Sequence, residues 1–424
     1  HDRFSYDQAA LYLSNPGEFK VNLNKLKSSY NIKQHKHVQV FNVALSISKA
    51  LRAARTTNGK KLEHFRSNLK YTNGVVELYE DYDNVKDMKS VIAEFAIFSN
   101  SFIGEYLNTN VEKINFENKK AVSVSYWRDN QSFTVKTNKE IILSAGSIGS
   151  TQILQTSGIG DAKKLSPLGI DIVKNSIGVG KNLQDHLMFR PVYKVKNIKT
   201  LNKKINSLIG KLMIGMEYVF LRKGPMTMGA SQLCGFAKSD SSRSTPNLQF
   251  HVQPISTDKL GGSNLHDFDA FTPTVANIRP TSKGEINIIS KDSRVNPKIK
   301  MNYLSSPDDR KVAAAGLRLI RKIVLESDEF KKYNPEEFRP GISIQDDEEL
   351  VKAASNYAQT IFHPVGTCKM GNDDNSVVSD DLKVHGIENL RVIDASVMPN
   401  ITSGNTNAPT IMIAERGADM ILNN

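Results

Sequence analysis

The sequence predicts an α/β protein: a parallel-sheet, nucleotide-binding unit assembled from distant segments and interrupted by an inserted antiparallel-sheet domain. Three observations carry this. Glu140–Ser144 reads as a strand, Ala145-Gly146 turns the chain, and Ser147–Gln155 follows as a short helix, which together form half of a nucleotide-binding unit. Leu390–Ile393 is a second strand-like run, ending in Asp394, with a helix opening shortly after it. Between them, Asn247–Val252 and Gly284–Ile289 alternate in the manner of half-buried antiparallel strands. The 424 residues, 39% of them hydrophobic, suffice for a sizeable core and about two domains.

Residues 1 to about 95 are rich in Lys, Asn and Ser and contain helical stretches such as Val43–Arg55, where Val43, Ala44, Ile47, Ala50 and Leu51 share a face. Asn110–Ile114 opens a β-rich stretch, and Ala121–Trp127 alternates with period two. The helix after Gly146 should end near Gly158. Taken alone, this strand–turn–helix is also the commonest way to join any strand to any helix. Asn182 and Asp185, in the run Gly180–His186, read as a hydrogen-bonding turn, with His186 as a second-ranked base.

The formal charge is +12, with Lys194, Lys196, Lys199, Lys203, Lys204 and Lys211 in one stretch. No binding motif or interleaved stacking aromatics accompany them, so nucleic acid is not an expected partner and a solvated surface is. Contact with an anionic membrane surface stays open, which would place the protein peripheral to the inner membrane. Met213, Met216, Met226 and Met228 read as adaptable core filling, with the lining of a substrate entrance as the alternative. A helix with Val312, Leu317, Ile320 and Ile323 inside should carry Lys311, Arg318, Arg321 and Lys322 outside. Domain boundaries fall near Val192 and Ile344. Cys234 and Cys368 are too few for a disulfide framework and lack metal spacing, which suits a reducing cytoplasm, and no metal site is expected. No hydrophobic leader stands at His1 and no run of about eighteen apolar residues occurs anywhere, so neither secretion nor a membrane span is expected.

The final segment is the most informative. Asn407 reads as an N-cap with Pro409 in the first turn, giving a helix from about Ala408 to Leu422. Its free N–H groups and partial positive charge suit an oxygen that becomes anionic, although an ordinary buried C-terminal helix is the commoner use of such a segment. His363, between Ile361 and Pro364 with Gly366 and Gly371 nearby, sits in a tight, partly buried turn. An imidazole there can accept a proton in one step and return it in another.

These residues resemble the glucose-methanol-choline oxidoreductases, FAD-dependent enzymes acting on alcohols, and within them the choline-dehydrogenase-like branch. The motifs are Lys139–Gly160 (KEIILSAGSIGSTQILQTSGIG), Gly178–His186 (GVGKNLQDH) and the C-terminal segment Tyr357–Ile421. The resemblance implies an FAD-binding Rossmann-like domain with an inserted substrate domain: 96–190 and 346–424 on the flavin side, 191–345 on the substrate side, and 1–95 unassigned, divergent or truncated. It places His363 on the active-site base and Asn405 on the second active-site position. It also implies cofactor contacts at Val111, near the adenine, at Phe362, at the flavin-contacting pair Asp394 and Ala395, and at Ala145, Gly146, Thr406, Asn407 and Pro409. The expected reaction is oxidation of an alcohol to the aldehyde or ketone, with quinone or dioxygen as electron acceptor. One departure stands out. No G-x-G-x-x-G follows any predicted strand, and Gly178-Val179-Gly180 lacks the third glycine. The alternative is therefore an inactive or fragmentary relative without bound FAD, acting at most as a binding protein.

Overall fold

The computed structural model describes residues 20–21, 67–72, 75–80 and 110–423, apart from 129, 230, 232 and 259–264. The chain divides into two compact units, His1–Asn108 and Thr109–Asn424. In the first, β1 (Lys20–Val21), β2 (Ser67–Thr72) and β3 (Val75–Glu80) pair antiparallel in the order β1-β3-β2. The expected helix at Val43–Arg55 lies outside the described residues.

The second unit opens with an antiparallel meander of β4 (Asn110–Glu117), β5 (Lys120–Arg128) and β6 (Gln131–Lys136). Asn118 and Lys119 both take positive φ, 47° and 64°, which is what a two-residue hairpin loop requires for its twist to match the strands. Next come β7 (Ile141–Leu143) and α1 (Gly146–Thr156). The run Glu140–Ser144 reads in sequence as a buried strand. Ile141 and Leu143 are buried, but Ile142 is 45% exposed, so the described structure covers only one face of β7. The helix stops before Gly158, whose φ of +81° and close approach to the Asp171 carbonyl leave no room for a Cβ. β8 (Ile159–Gly160) and β9 (Lys174–Asn175) then form a short parallel pair.

An antiparallel sheet follows. β10 (Leu187–Phe189) and β11 (Val192–Lys194) enter it; α2 (Leu208–Met216) lies outside it; β12 (Leu233–Ala237), β13 (Leu248–Gln253) and β14 (Ala270–Asn277) continue it. β15 (Glu285–Asn287) and β16 (Lys298–Lys300) make a separate hairpin, shorter than the alternation over Gly284–Ile289 predicts. α3 (Pro307–Arg321), β17 (Glu336–Arg339), α4 (Asp347–Ser355) and β18 (Gln359–Thr360) complete the region. The strand order is β12-β13-β14-β10-β18, with β11 bridging β14 and β17. Last come β19 (Leu390–Val392) and α5 (Asn407–Leu422).

Two sequence expectations fail here. Met213, Met216, Met226 and Met228 are 49–65% exposed instead of filling a core, and Met226 and Met228 line a cavity of about 440 Å³ with Leu201, Ile205, Ile214 and Ile255. A helix such as α2, with Leu208, Ile209 and Leu212 also exposed, has apolar residues on more faces than its neighbours can cover. Of the helix faces assigned from sequence, Arg321 belongs outside and is instead buried, while Ile323 belongs inside and is 44% exposed. The Arg321 guanidinium grips Glu337 through Nε (2.8 Å) and Nη2 (2.9 Å) and donates further to the Ile344 and Gly341 carbonyls. Planar fork geometry makes such a charge tolerable inside, which a periodicity argument does not anticipate.

The unit has two principal apolar cores. One joins residues from Ile114 to Val179 with residues from Val365 to Ile413; the other runs from Phe189 to Ala354. In the second, α3 lies on β14 so closely that a Cβ on Gly316 would meet Val275 Cγ2 at 2.9 Å and Leu248 Cδ2 at 3.3 Å. Gly316→Ala would gain about 1 kcal/mol in helix propensity but overpack a stiff β-branched neighbour at about 1–3 kcal/mol. A net loss of about 1 kcal/mol is expected in urea unfolding; a gain would mean that α3 can lift off the sheet. Among the described residues, no helix is long and apolar enough to cross a membrane.

Candidate active site

The first part of the site is a strand-end clamp. β7 and β19 pair in parallel, Leu390 opposite Ile141 and Val392 opposite Leu143, although 246 residues lie between the end of β7 and the start of β19 in sequence. The pairing continues through Ile393 N–H to the Leu143 carbonyl (2.8 Å) and Ser144 Oγ to the Ile393 carbonyl (3.0 Å). Asp394 thereby arrives at the start of α1. Its Oδ2 accepts from Gly146 N–H (2.9 Å) and Ser150 Oγ (2.5 Å), and its Oδ1 accepts from Ser396 N–H (2.8 Å). A buried carboxylate at a helix N-terminus is stabilised by free donors and dipole together. The Asp394 side chain thus holds the two strand ends together. Gly146 has φ +76°, and nothing lies within 4 Å of its Cβ position, so the turn fronts open space.

The second part is an irregular ladder between residues 184–189 and 359–365. Gln184 bridges Val365, and Leu187 pairs with Thr360. Three residue steps on one strand therefore face five on the other, and the two extra residues force a bulge that contains Phe362 and His363. Phe362 takes φ +63°, uncommon for an aromatic residue, with its ring 70% exposed. The bulge turns His363 inward, where it is buried. Asp185 holds it there by accepting from its backbone N–H (3.0 Å), and Tyr303 donates its hydroxyl to the other Asp185 oxygen.

The third part is the set of polar groups around the His363 ring. Nδ1 lies 3.0 Å from Nδ1 of His186, and Nε2 lies 3.3 Å from Nδ2 of Asn405. Oδ1 of Asn405 in turn accepts from Nε2 of Gln249 (3.1 Å). Burial holds the His363 pKa below the ordinary imidazole value; Asp185 opposes that shift and His251 adds to it. Burial also takes His186 down to about 3, with His363 contributing. Both rings are neutral near pH 7, and a neutral His363 is able to accept a proton.

The structure thus brings His363 and Asn405 together, and separately Gly146 and Asp394. Ala145 caps α1 and donates its N–H to Ser150 Oγ (3.0 Å), while Ala395 follows Asp394 and accepts at its carbonyl from Gly366 N–H (3.3 Å). Val111 sits on β4 opposite Tyr126. Asn407 is not the N-cap expected: α5 begins one residue earlier, at Asn407 itself, and Thr406 precedes it without a side-chain cap bond. The expected burial of this helix is also limited, to Ile413 and Gly417, and its start at Asn407–Pro409 is accessible. His186, ranked second to His363 as the base, is its direct neighbour. Gln249 and His251 were not anticipated as site residues. They share one face of β13, and their signal was present: a strand with Gln249, His251 and Gln253 alternating with Leu248, Phe250 and Val252 turns a polar face toward something. Cys368, five residues after His363, is fully buried with its thiol pushed up to about 12, as fits a packed thiol and not a nucleophile. Among the described residues, no cluster of acidic, His or Cys side chains could hold a metal.

Comparison with known proteins identifies this arrangement. An alcohol dehydrogenase (acceptor) of Pseudomonas putida is 41% identical over 313 residues, covering 73% of this chain and 56% of its own length. An oxygen-dependent choline dehydrogenase of Proteus mirabilis is 42% identical over 310 residues, covering 73% and 55%. The chain spans little more than half the length of these relatives. Among solved structures, an FAD-dependent oxidoreductase from Chaetomium thermophilum superimposes with a TM-score of 0.66 at 26% identity, over 74% of this chain and 60% of that one. Pyridoxine 4-oxidase from Mesorbium loti does so with a TM-score of 0.63 at 25% identity, over 74% and 57%. Two family models, both described as GMC oxidoreductase, match residues 22–188 and 280–414, the first reaching well into the stretch left unassigned from sequence. With the strand-end clamp and the His363–Asn405 pair inside those matches, the chain belongs to the GMC oxidoreductase family.

Proposed function

We propose that this chain carries the reaction centre of an FAD-dependent oxidation of an alcohol to the aldehyde or ketone. The observation that carries the proposal is a buried, neutral His363 whose Nε2 faces Asn405 at 3.3 Å. His363 Nε2 takes the hydroxyl proton, Asn405 holds the substrate oxygen, and Gln249 fixes the Asn405 amide. FAD, when bound, supplies the hydride acceptor. Either a quinone or dioxygen is compatible as the final electron acceptor.

The residues fit the isoalloxazine end of that cofactor. Open space in front of Gly146, the exposed Phe362 ring and the accessible start of α5 offer a shelf, an apolar face and backbone donors. We assign Val111, Ala145, Gly146, Phe362, Asp394, Ala395, Thr406, Asn407 and Pro409 to this cofactor site, Asp394 acting through the clamp it forms. The two apolar cores support a flavin side built from residues 96–190 and 346–424 and a substrate side from 191–345.

The pyrophosphate end is different. Gly178-Val179-Gly180 has the spacing of the first two glycines of a phosphate loop, yet a Cβ on Gly178 would come within 2.0 Å of the Asn375 carbonyl oxygen and one on Gly180 within 2.1 Å of the Ile286 one. Their smallness serves packing. A second reading follows from that: a chain that meets FAD weakly or not at all. Equilibrium dialysis of the purified chain against FAD, beside a version completed with an N-terminal βαβ unit, separates the two. Measurable binding, weaker in the chain alone, is expected; a completed version that stays colourless would overturn the enzymatic reading.

A further inference from the structure

His186 is fully buried and takes no part in the proton transfer proposed above. Its ring stands nearly perpendicular to that of His363, at 87°, with the two Nδ1 atoms 3.0 Å apart. Two ring nitrogens at that separation share one proton: one is the N–H donor and the other the lone-pair acceptor. Because both rings are neutral, each carries a single proton, and the choice is made by what its second nitrogen meets.

Around His186, the backbone of Ile278 acts on the ring as an acceptor, favouring a proton there. With Nδ1 turned to His363, the nitrogen left for it is Nε2. No full hydrogen bond reaches Nε2, so the preference is electrostatic: a carbonyl oxygen near a buried nitrogen favours N–H over a bare lone pair. A proton on Nε2 leaves Nδ1 of His186 able only to accept, and Nδ1 of His363 must then donate. The other end of the chain of contacts has the same polarity. Gln249 donates to Oδ1 of Asn405, which directs the Asn405 amide N–H at a bare Nε2 of His363. The remaining titratable groups around the pair are Asp185, which accepts from the His363 backbone N–H, Tyr303, which donates to Asp185, and His251 on β13.

We propose that His186 is a positioning residue that locks His363 in the tautomer protonated on Nδ1, so that the Nε2 lone pair always faces Asn405 and the reacting hydroxyl. The consequence for turnover rests on the alcohol-oxidation reading; the tautomer does not. A base free to switch tautomers would spend part of its time with a proton where its lone pair is needed.

The test is ¹⁵N NMR of the imidazole nitrogens in the histidine-labelled chain near neutral pH, His363 being assigned by the signals lost in His363→Asn. Wild type is expected to show His363 protonated on Nδ1 and bare on Nε2, and His186 the reverse. His186→Leu, which removes the acceptor, is expected to populate Nε2–H on His363. His186→Asn, whose Oδ1 can stand in for the lost nitrogen, is expected to restore the wild-type pattern. In the flavin-loaded enzyme, His186→Leu should lower kcat about tenfold with KM little changed, and His186→Asn should recover most of it. Should His186→Leu fail to fold, the wild-type spectrum still decides: Nε2–H on His363 overturns the proposal, as does an unchanged His363 pattern in a folded His186→Leu. The expected spectra in a chain that never oxidises an alcohol would leave the lock standing and remove only the functional reading.

Discussion

His363→Ala in the flavin-loaded enzyme is expected to lower kcat by about a hundredfold or more, the scale of a lost general base. The structure sharpens the reasoning. His363 contributes its backbone N–H to Asp185, and that bond survives truncation of the side chain. The bulge that presents the residue should therefore persist, flavin content should stay nearly constant, and the loss should fall on turnover. What truncation removes is the ring nitrogen that faces the Asn405 amide group, Nδ1 being engaged with His186. His186 cannot substitute, because it is fully enclosed. Steady-state kinetics with a reactive alcohol decide the matter. Turnover within a few-fold of wild type would move the base elsewhere, and His251 on β13 would become the next residue to test.

The second large effect is on stability. Asp394→Ala is expected to destabilise the second unit by about 3–5 kcal/mol, comparable to breaking a buried charged pair. Three donors would lose their acceptor at once: Gly146 N–H, Ser150 Oγ and Ser396 N–H. Two of these are backbone groups fixed by a turn and a helix start, with little freedom to find other partners. The single tryptophan, Trp127 on β5, reports unfolding of this unit directly. The urea midpoint of its fluorescence should drop sharply, and Asp394→Asn, which keeps one acceptor oxygen, should lie between Asp394→Ala and wild type. A loss below about 1 kcal/mol for Asp394→Ala would mean that water or relaxation replaces the carboxylate and that β7 and β19 do not depend on it.

The legible parts of this site share one property: each is local in sequence. The strand into Ser144, the strand into Asp394 and the turn around His363 can each be read from a run of about ten residues, because periodicity and turn chemistry act over that range. The helix start at Asn407 was legible to within one residue. What could not be read depends on register between distant segments. Nothing in Gln184–Leu187 or Thr360–Val365 alone shows that three steps will face five, so neither the bulge nor the His186–His363 contact could be foreseen. Arg321 was misassigned for a similar reason: its buried partner Glu337 arrives on a different element. The exposed methionines reflect the opposite limit, in which apolar composition was taken as burial although α2 has too few neighbours to cover it.

The ladder that carries the two histidines also joins the two cores: the chain leaves one core after Val179 and returns to it at Val365, running through β10 on the way out and β18 on the way back. Other links reinforce the join, among them Ile286 N–H to the Gly180 carbonyl and Gln249 Nε2 to Asn405 Oδ1. His186 and His363 stand on the two hydrogen-bonded sides of that ladder, so a small shift of one core against the other would carry both rings together and leave the proton between them undisturbed.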